Sequence, residues 1–324
     1  MEKRTLGTSG IHISPIIMGT WQAGKRMWVG IEDSETIKAI RSGFEAGITT
    51  VDTAEVYGTG HSEQIVAQAL KDVRSQVVYA TKVFANHLKY DQVIEACDRS
   101  LANLQTDYID LYQIHWASGT WNSEIVPIAE TMAALNYLKQ MGKIRVIGVS
   151  NFSKVQLEEA SQYGRIDSLQ PPYSLFWRKI EPDLTNYCLE HKISILAYSS
   201  LAQGLLTGKF KRDHKFTEGD HRVSNKLFNG ENFERSQLAI EKLQPIATHY
   251  QTTLGNLALA WLIFDSSSRP QVNAIAGARN EEQSVQNAKA AQLKLTEIDW
   301  LEIEAIGRSV TDFLDDTPIM WDFS

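Results

Sequence analysis

The chain has 324 residues, of which 43% are hydrophobic, 22% charged and 9% aromatic, a profile that excludes disordered, collagen-like and disulfide-stapled classes and leaves a globular core that needs no metal or disulfide to hold it. Its 32 basic and 39 acidic residues give a formal charge of −7, which excludes a nucleic-acid binder built on a broad basic face. No stretch approaches a membrane span of roughly 18 apolar residues, and the opening MEKRTLGTSG lacks a signal-peptide core, so a cytoplasmic protein with no membrane partner is expected.

Residues Arg4–Ile13, with Ser9-Gly10 in their middle, predict a β-hairpin. Short β-branched apolar runs then alternate with helical patterns. Strands are expected at Ile16–Gly19, Ile48–Asp52, Val77–Thr81, Ile109–His115, Ile144–Val149, Asp167–Gln170, Ile193–Tyr198 and Val272–Ala276. Helices are expected at Ser34–Ala46, Ser62–Leu70, Asp91–Asn103, Ile128–Met141, Val155–Gln162, Pro182–Glu190 and Ser236–Phe264, the last broken near Thr253, followed by Asn280–Ala291 and Glu297–Ile306. Two longer irregular connections stand apart: Gly204 to about Phe233, and the tail Asp312–Ser324 with Phe313, Trp321 and Phe323. The buried-looking Cys97 and Cys188 fit reduced thiols, and the sequon at Asn151-Phe152-Ser153 has no secretory context.

Eight strands, each followed by a helix and each apolar along its length, predict a closed (β/α)8 TIM barrel in one domain, residues 1–324. The rival, an open doubly wound sheet, would carry G-x-G-x-x-G after its first strand. The nearest stretch, Gly58-Thr59-Gly60-His61-Ser62-Glu63, has Glu63 where the last glycine belongs.

In such barrels chemistry sits where strands end. The expected ends carry Gly19-Thr20-Trp21, Asp52 with Tyr57 five residues on, Lys82, His115-Trp116, Ser150-Asn151, Gln170, Tyr198-Ser199-Ser200 and Gly277-Ala278-Arg279. Singly, Asp52 reads as a turn cap, Lys82 as a solvated surface group and His115 as a hydrogen-bonded core residue. Together they make a carboxylate, an amine, an imidazole and a phenol on neighbouring strands. Asp52 offers a buried Lys82 its counter-charge, and an ammonium beside Tyr57 is expected to lower the phenol's pKa so that it can protonate a carbonyl oxygen. Trp21, Trp28, Trp116, Phe176 and Trp177 are candidates for an aromatic substrate wall around Tyr57 and His115, Trp116 foremost.

The motifs D-T-A-x-x-Y-G at Asp52–Gly58, T-K at Lys82, D-Y-I-D-L-Y-x-I-H-W at Asp107–Trp116, G-V-S-N-F at Gly148–Phe152, Q-P-P-Y at Gln170–Tyr173, G-L-L-T-G-K at Gly204–Lys209 and G-A-R-N-x-x-Q-x-x-x-N at Gly277–Asn287 span nearly the whole chain. The set resembles that of the aldo-keto reductase superfamily, and most of all its bacterial NADPH-dependent branch of general-stress and inositol-catabolism type. The resemblance implies a TIM barrel reducing aldehydes or ketones with NADP(H) laid across its mouth. It implies Tyr57 as proton donor, Lys82 and Asp52 as the pair acting on it, and His115 as the residue orienting the substrate carbonyl. Ser150, Asn151 and Gln170 match residues that hold the nicotinamide carboxamide, and Tyr198 the ring that stacks on it. Gly19, Thr20 and Trp21 fall in the same cofactor site. Ser199, Ser200, Leu201, Gln203, Gly204 and Lys209, joined by Arg222, match the loop over the pyrophosphate. Gly277, Arg279, Gln283, Gln286 and Asn287 match the 2′-phosphate and adenine site. The chain departs from the family at Ser200, where many members have proline.

Other chemistry finds less support. Gly204–Lys209 is no phosphate-binding P-loop, because Gln203 and Phe210 stand where glycine and Ser or Thr belong. His12, His61, His87, His191, His214, His221 and His249 show no ligand spacing, so no metal site is expected. A glycosidase would need two acids at strand ends that carry His115 and Tyr198 instead. The alternative kept open is an NADPH-sensing subunit resembling potassium-channel β-subunits. A small carbonyl compound is the expected partner, and a monomer the expected state.

Overall fold

Eight parallel strands close into a barrel in the computed structural model, which describes residues 1–321. A hairpin of β1 (Arg4–Thr5) and β2 (His12–Ile13) precedes it. The barrel strands are β3 (Ile16–Gly19), β4 (Thr50–Asp52), β5 (Val78–Val83), β6 (Ile109–Ile114), β7 (Ile144–Ser150), β8 (Ser168–Gln170), β9 (Ser194–Ala197) and β10 (Val272–Gly277). Each pairs with the next in sequence, and β10 returns to β3 with Gly277 opposite Gly19. Around them run α1 (Asp33–Glu45), α2 (His61–Leu70), α3 (Tyr90–Leu104), α4 (Ile128–Gln140), α5 (Lys154–Gln162), α6 (Leu184–Glu190), α7 (Gly230–His249), α8 (Leu254–Leu262), α9 (Glu281–Lys289) and α10 (Glu297–Thr311).

The period of two along each strand sorts the side chains. Ile17, Val78, Ala80, Leu111, Val146, Leu196 and Ile275 pack inside the barrel against Leu6, Ile11 and Ile13 of the hairpin, which plugs its floor. Tyr79, Val83, Tyr112 and Ile147 join the larger cluster beneath the helices. Continuing the inward series past Ala80 and Leu111 brings Lys82 and Gln113 to the upper layer. An apolar floor and a polar ceiling thus follow from one alternation.

Gly148 makes room for that ceiling. A Cβ there would stand 2.2 Å from Ser168 Oγ and 3.1 Å from Gln113 Cγ, so any side chain would displace the amide that reaches Asp52.

Several expected boundaries shift, for identifiable reasons. The strand expected from Ile48 begins at Thr50, because the Ile48 N–H is spent on the Gly43 carbonyl at 2.9 Å, closing the end of α1. The helix expected from Ser236 begins at Gly230, where an i,i+4 pair of Glu231 and Arg235 (2.5 Å) and the burial of Phe233 against Phe228 extend the first turns. The break near Thr253 is present: its hydroxyl accepts the Asn256 N–H at 3.2 Å and opens α8. The connection from Gly204 toward α7 contains three 3-10 turns, Ala202–Thr207, His221–Ser224 and Lys226–Phe228. The tail folds back on it, pairing Trp321 with Asn225 and the Met320 carbonyl with the Lys226 N–H at 2.9 Å. Phe323 lies outside the described residues. Among those described, no helix is long and apolar enough to cross a membrane.

Candidate active site

Register places the reactive groups. Asp52 ends β4 opposite Gly19 of β3 and Ala80 of β5, and Lys82 lies across from Gln113 on β6. Lys82 Nζ donates to Asp52 Oδ1 at 2.5 Å and to the Thr53 carbonyl at 2.7 Å, leaving one N–H of the ammonium uncommitted. Its nitrogen lies 5.1 Å from the centre of the Tyr57 ring. The other carboxylate oxygen, Asp52 Oδ2, accepts from Gln170 Nε2 at 2.8 Å and Gln113 Nε2 at 3.2 Å. The His115 ring stands edge-on to Tyr57 at 5.6 Å and to Phe84 at 5.5 Å. The four residues expected to act together therefore lie side by side at the barrel mouth.

Burial dominates the proton affinities of His115, Lys82 and Tyr57. The His115 imidazole is held well below its usual range by desolvation and then by the Lys82 charge, so it stays neutral at ordinary pH. Lys82 is lowered by burial against the raising effect of Asp52. Tyr57 departs from the sequence expectation: burial, then Asp52 and Tyr198, raise the phenol well above 10 rather than lowering it. The phenol is thus a fully protonated donor. Its hydroxyl has no hydrogen-bond partner among the described residues.

The carboxamide candidates form one chain of contacts. Ser150 Oγ donates to the Gln170 carbonyl at 2.7 Å, and Asn151 Nδ2 donates to the His115 carbonyl and to Ser150 Oγ, both at 3.1 Å. Tyr198 donates its hydroxyl to Asn151 Oδ1 at 2.8 Å. Gln170 spends its Nε2 on Asp52 and Gln113, and its Oε1 has no partner among the described residues. An unpartnered acceptor at this strand end fits a primary amide.

Thr20 donates its hydroxyl to the Asp52 carbonyl at 2.9 Å, and Trp21 and Trp28 meet edge to face at 5.3 Å. Ser199 and Gln203 take positive φ values of 51° and 55°, and Gly204 one of 94°, so the chain turns sharply after β9. Ser200, at the family's proline position, ties that turn down by donating to the Ile275 carbonyl at 2.6 Å. Leu201 accepts at its carbonyl from the N–H groups of Gly204 and Leu206.

Lys209, Arg222 and Arg279 gather near this turn. Lys209 is lowered by burial and by repulsion from Arg222 and Arg279, and Arg279 by burial and Arg222. Arg222 is engaged by Asp220, which accepts its Nε at 2.8 Å and also its Nη2. Lys209 and Arg279 have no carboxylate partner among the described residues. Two neighbouring cations, with Asp220 already taken up by Arg222, fit an anion. The Gln203 amide nitrogen, buried and unpartnered, adds a donor. At α9, Gln283 accepts the Arg279 N–H at 2.9 Å, Asn287 donates to the Gly277 carbonyl at 3.2 Å, and Gln286 accepts from Lys289 at 3.4 Å.

The aromatic wall is only partly the expected one. Phe176 and Trp177 are fully buried, and Trp177 donates to the Pro318 carbonyl at 3.2 Å; both are core. Trp116 packs on Trp121 at 5.5 Å, and Phe84 lies 6.2 Å from Trp121. His221 sits between Trp21 and Trp28 at 4.7 and 4.6 Å, and Trp321 stacks on Tyr198 at 6.1 Å. Phe84, Trp121, His221 and Gln113 are additions. Gln113 was open to detection as a lone amide two residues before His115 in an apolar run; the others depend on loop conformation.

Residues 15–308 match the Aldo/keto reductase family. The chain is 38% identical over 274 residues to aldo-keto reductase YhdN of Bacillus subtilis, covering 81% of each. It is 36% identical over 320 residues to the NADH-specific methylglyoxal reductase of Escherichia coli, covering 92% of this chain and 96% of that one. Among solved structures it resembles the glycerol dehydrogenase AKR11B4 of Gluconobacter oxydans, with a TM-score of 0.86 and 31% identity over 98% of both chains. It also resembles an aldo-keto reductase of Klebsiella pneumoniae solved with NADPH, with a TM-score of 0.75 and 28% identity over the full length of both.

Proposed function

The chain belongs to the aldo/keto reductase family, an NAD(P)-dependent oxidoreductase of carbonyl groups, and from that premise we propose that it reduces aldehydes and ketones with NADPH, Tyr57 protonating the carbonyl oxygen. When bound, the reduced nicotinamide supplies a hydride to the carbonyl carbon. Everything else falls to the chain's own side chains.

The observation that carries this reading is the unpartnered Tyr57 hydroxyl above a sealed Lys82–Asp52 pair, with the neutral His115 ring 5.6 Å away. A neutral imidazole can donate one hydrogen bond to the substrate oxygen without competing as a proton source. As the carbonyl gains electrons, its oxygen takes the Tyr57 proton. The phenolate left behind lies against the Lys82 ammonium, whose third N–H is uncommitted. Burial keeps the phenol loaded beforehand, and the ammonium offsets the charge only once it forms, which is stabilisation aimed at the reacting state. Gln170, Ser150 and Asn151 hold the carboxamide, Tyr198 its ring, and Lys209 with Arg279 the phosphates. Arg222 acts at one remove, its guanidinium already occupied by Asp220. Trp21, Trp28 and Trp116 bound the substrate space. The same reading takes the enzyme as a cytoplasmic monomer.

The test is NADPH oxidation with aldehydes such as 4-nitrobenzaldehyde and methylglyoxal, with Tyr57→Phe beside the native chain. The variant is expected to lose about 100- to 10,000-fold in kcat. Undiminished turnover would remove Tyr57 from the mechanism, and tight NADPH binding without turnover on a broad carbonyl panel would favour the sensing subunit instead.

A further inference from the structure

Glu55 lies inside the Asp52–Gly58 loop, is 9% exposed, and has no part in the mechanism above. Its carboxylate turns to the segment that follows β5. Oε1 accepts the backbone N–H of Phe84 and the Nδ1–H of His87, both at 2.9 Å, and Oε2 accepts from Arg99 Nη2 at 3.3 Å. Its backbone is committed too: the Glu55 carbonyl accepts the Gly60 N–H at 2.8 Å, and its own N–H points to the Lys82 carbonyl at 3.4 Å. One residue therefore ties the loop bearing Tyr57 to the segment that follows Lys82. Phe84, whose N–H it holds, packs its ring edge-on against His115.

The opposite side of the same loop is pressed by Gly24. A Cβ on Gly24 would lie 2.6 Å from the Tyr57 carbonyl carbon and 2.8 Å from the Gly58 nitrogen. The Tyr57 backbone is thus caught between a steric stop and a charge-assisted tether.

We propose that Glu55 is a positioning residue for the reduction: through the Phe84 N–H and His87 it fixes the Tyr57 loop against the Lys82 strand, so that phenol, ammonium and imidazole keep their mutual distances. The inference rests on Tyr57 being the proton donor. What the tether needs is an acceptor of the right length at Oε1, more than a charge. Glutamine keeps that acceptor; aspartate keeps the charge but falls one methylene short; alanine keeps neither.

The experiment compares Glu55→Ala, Glu55→Asp and Glu55→Gln in the full chain, with kcat and KM for 4-nitrobenzaldehyde, NADPH Kd by tryptophan fluorescence, and the thermal midpoint. Misplacing a reacting group by about 1 Å costs on the order of 100-fold, so Glu55→Ala and Glu55→Asp are expected to lose about that much kcat. KM and the NADPH Kd should stay within about twofold, since uniform binding is untouched. Glu55→Gln should recover most of the rate. An alanine variant with native kcat would overturn the proposal, as would a fall in kcat matched by an equal loss of NADPH affinity. Should alanine not fold, the Asp and Gln variants decide: equal rates in the two overturn it. Tyr57→Phe is run alongside. Full activity there removes the donor reading itself, whereas an inactive Tyr57→Phe with an unimpaired Glu55→Ala overturns only the tether.

Discussion

Lys82 Nζ lies 2.5 Å from Asp52 Oδ1, with the lysine side chain 0% and the aspartate 5% exposed. Two charges taken out of water at that depth hold their geometry by mutual need: each is costly alone, and the amides of Gln113 and Gln170 satisfy the oxygen that Lys82 leaves. The partners are not equivalent. Asp52 has three side-chain donors, whereas Lys82 has one carboxylate and one backbone carbonyl.

Removing Asp52's charge should therefore hurt the fold more than removing Lys82's. Asp52→Asn is expected to destabilise by about 3–5 kcal/mol, the usual cost of stranding a buried charge. Lys82→Met, which leaves a carboxylate held by two amides, should cost less, and the double variant less than the sum. Both singles should lose at least about 100-fold in kcat. Denaturant unfolding of the three variants checks the order; additive losses would mean that the two groups do not depend on each other.

The pH profile follows from the directions of the shifts. His115 is pushed well below 6.5 by burial and Lys82, and Tyr57 well above 10 by burial. Neither group changes charge between roughly pH 6 and 9, so kcat for reduction should be flat there, with no inflection near the ordinary histidine value. Stability behaves differently. The unfolded chain takes up a proton on His115 near its ordinary value while the folded one does not, so that contribution is present above about pH 6.5 and lost as pH falls below it. Stopped-flow rates and unfolding curves across that range separate the two effects; a rate that halves near pH 6.5 in step with an imidazole titration would contradict the buried neutral His115.

Gln113 is expected to matter although it touches neither substrate nor donor. It sits between Asp52 and Gln170, donating to the first at 3.2 Å and accepting from the second at 3.2 Å. Gln113→Leu removes one donor from the carboxylate and releases Gln170 to turn its Oε1 away from the mouth. Loss of a hydrogen bond to a charged group costs about 1.5–3 kcal/mol, so stability should fall by that order. The NADPH Kd should rise several-fold with it. A variant that is destabilised but binds NADPH as tightly as the native chain would separate Gln113 from Gln170.

What was legible in the sequence is what the barrel's alternation dictates. Asp52 and Gln170 end their strands, Lys82 stands one residue before the end of β5 and His115 one residue past β6, so parity and parallel register carry them to the same end of the barrel, and the hairpin from Arg4 to Ile13 plugs the other. Tyr57 was reached through its motif, and its ring packs beside His115 and Lys82. Less could be read where the outcome depends on loops. Phe176 and Trp177 looked like pocket aromatics but follow the short β8 into the core. Phe84 and His221 reach the mouth through tertiary contacts that no local pattern encodes. The proton affinity of Tyr57 was misjudged because charge proximity can be read from neighbours along strands, whereas depth of burial requires the whole fold.

If NADPH is preferred as proposed, Arg279 and Lys209 are expected to set that preference. The Arg279 guanidinium, with no carboxylate partner among the described residues, beside the Lys209 ammonium should prefer the extra phosphate of NADPH, because the phosphate relieves their mutual repulsion and a guanidinium can hold it through two N–H groups. The first turn of α9 works the other way, with Glu281 and Glu282 adding negative charge to a helix start that would otherwise favour an anion. Glu281 is partly drawn off by Ser42, which donates to it at 2.9 Å, so the cations should win. Arg279→Leu is expected to weaken NADPH binding about 10- to 100-fold, the worth of a charge-assisted hydrogen bond or two, while NADH affinity moves little. Arg222→Leu should shift both cofactors alike, because Asp220 already occupies that guanidinium. Kd values for both cofactors, at low and high salt, distinguish the cases: the Arg279 effect on NADPH should shrink as salt rises. Equal losses for NADPH and NADH in Arg279→Leu would place the 2′-phosphate elsewhere, or leave the enzyme without a preference to explain.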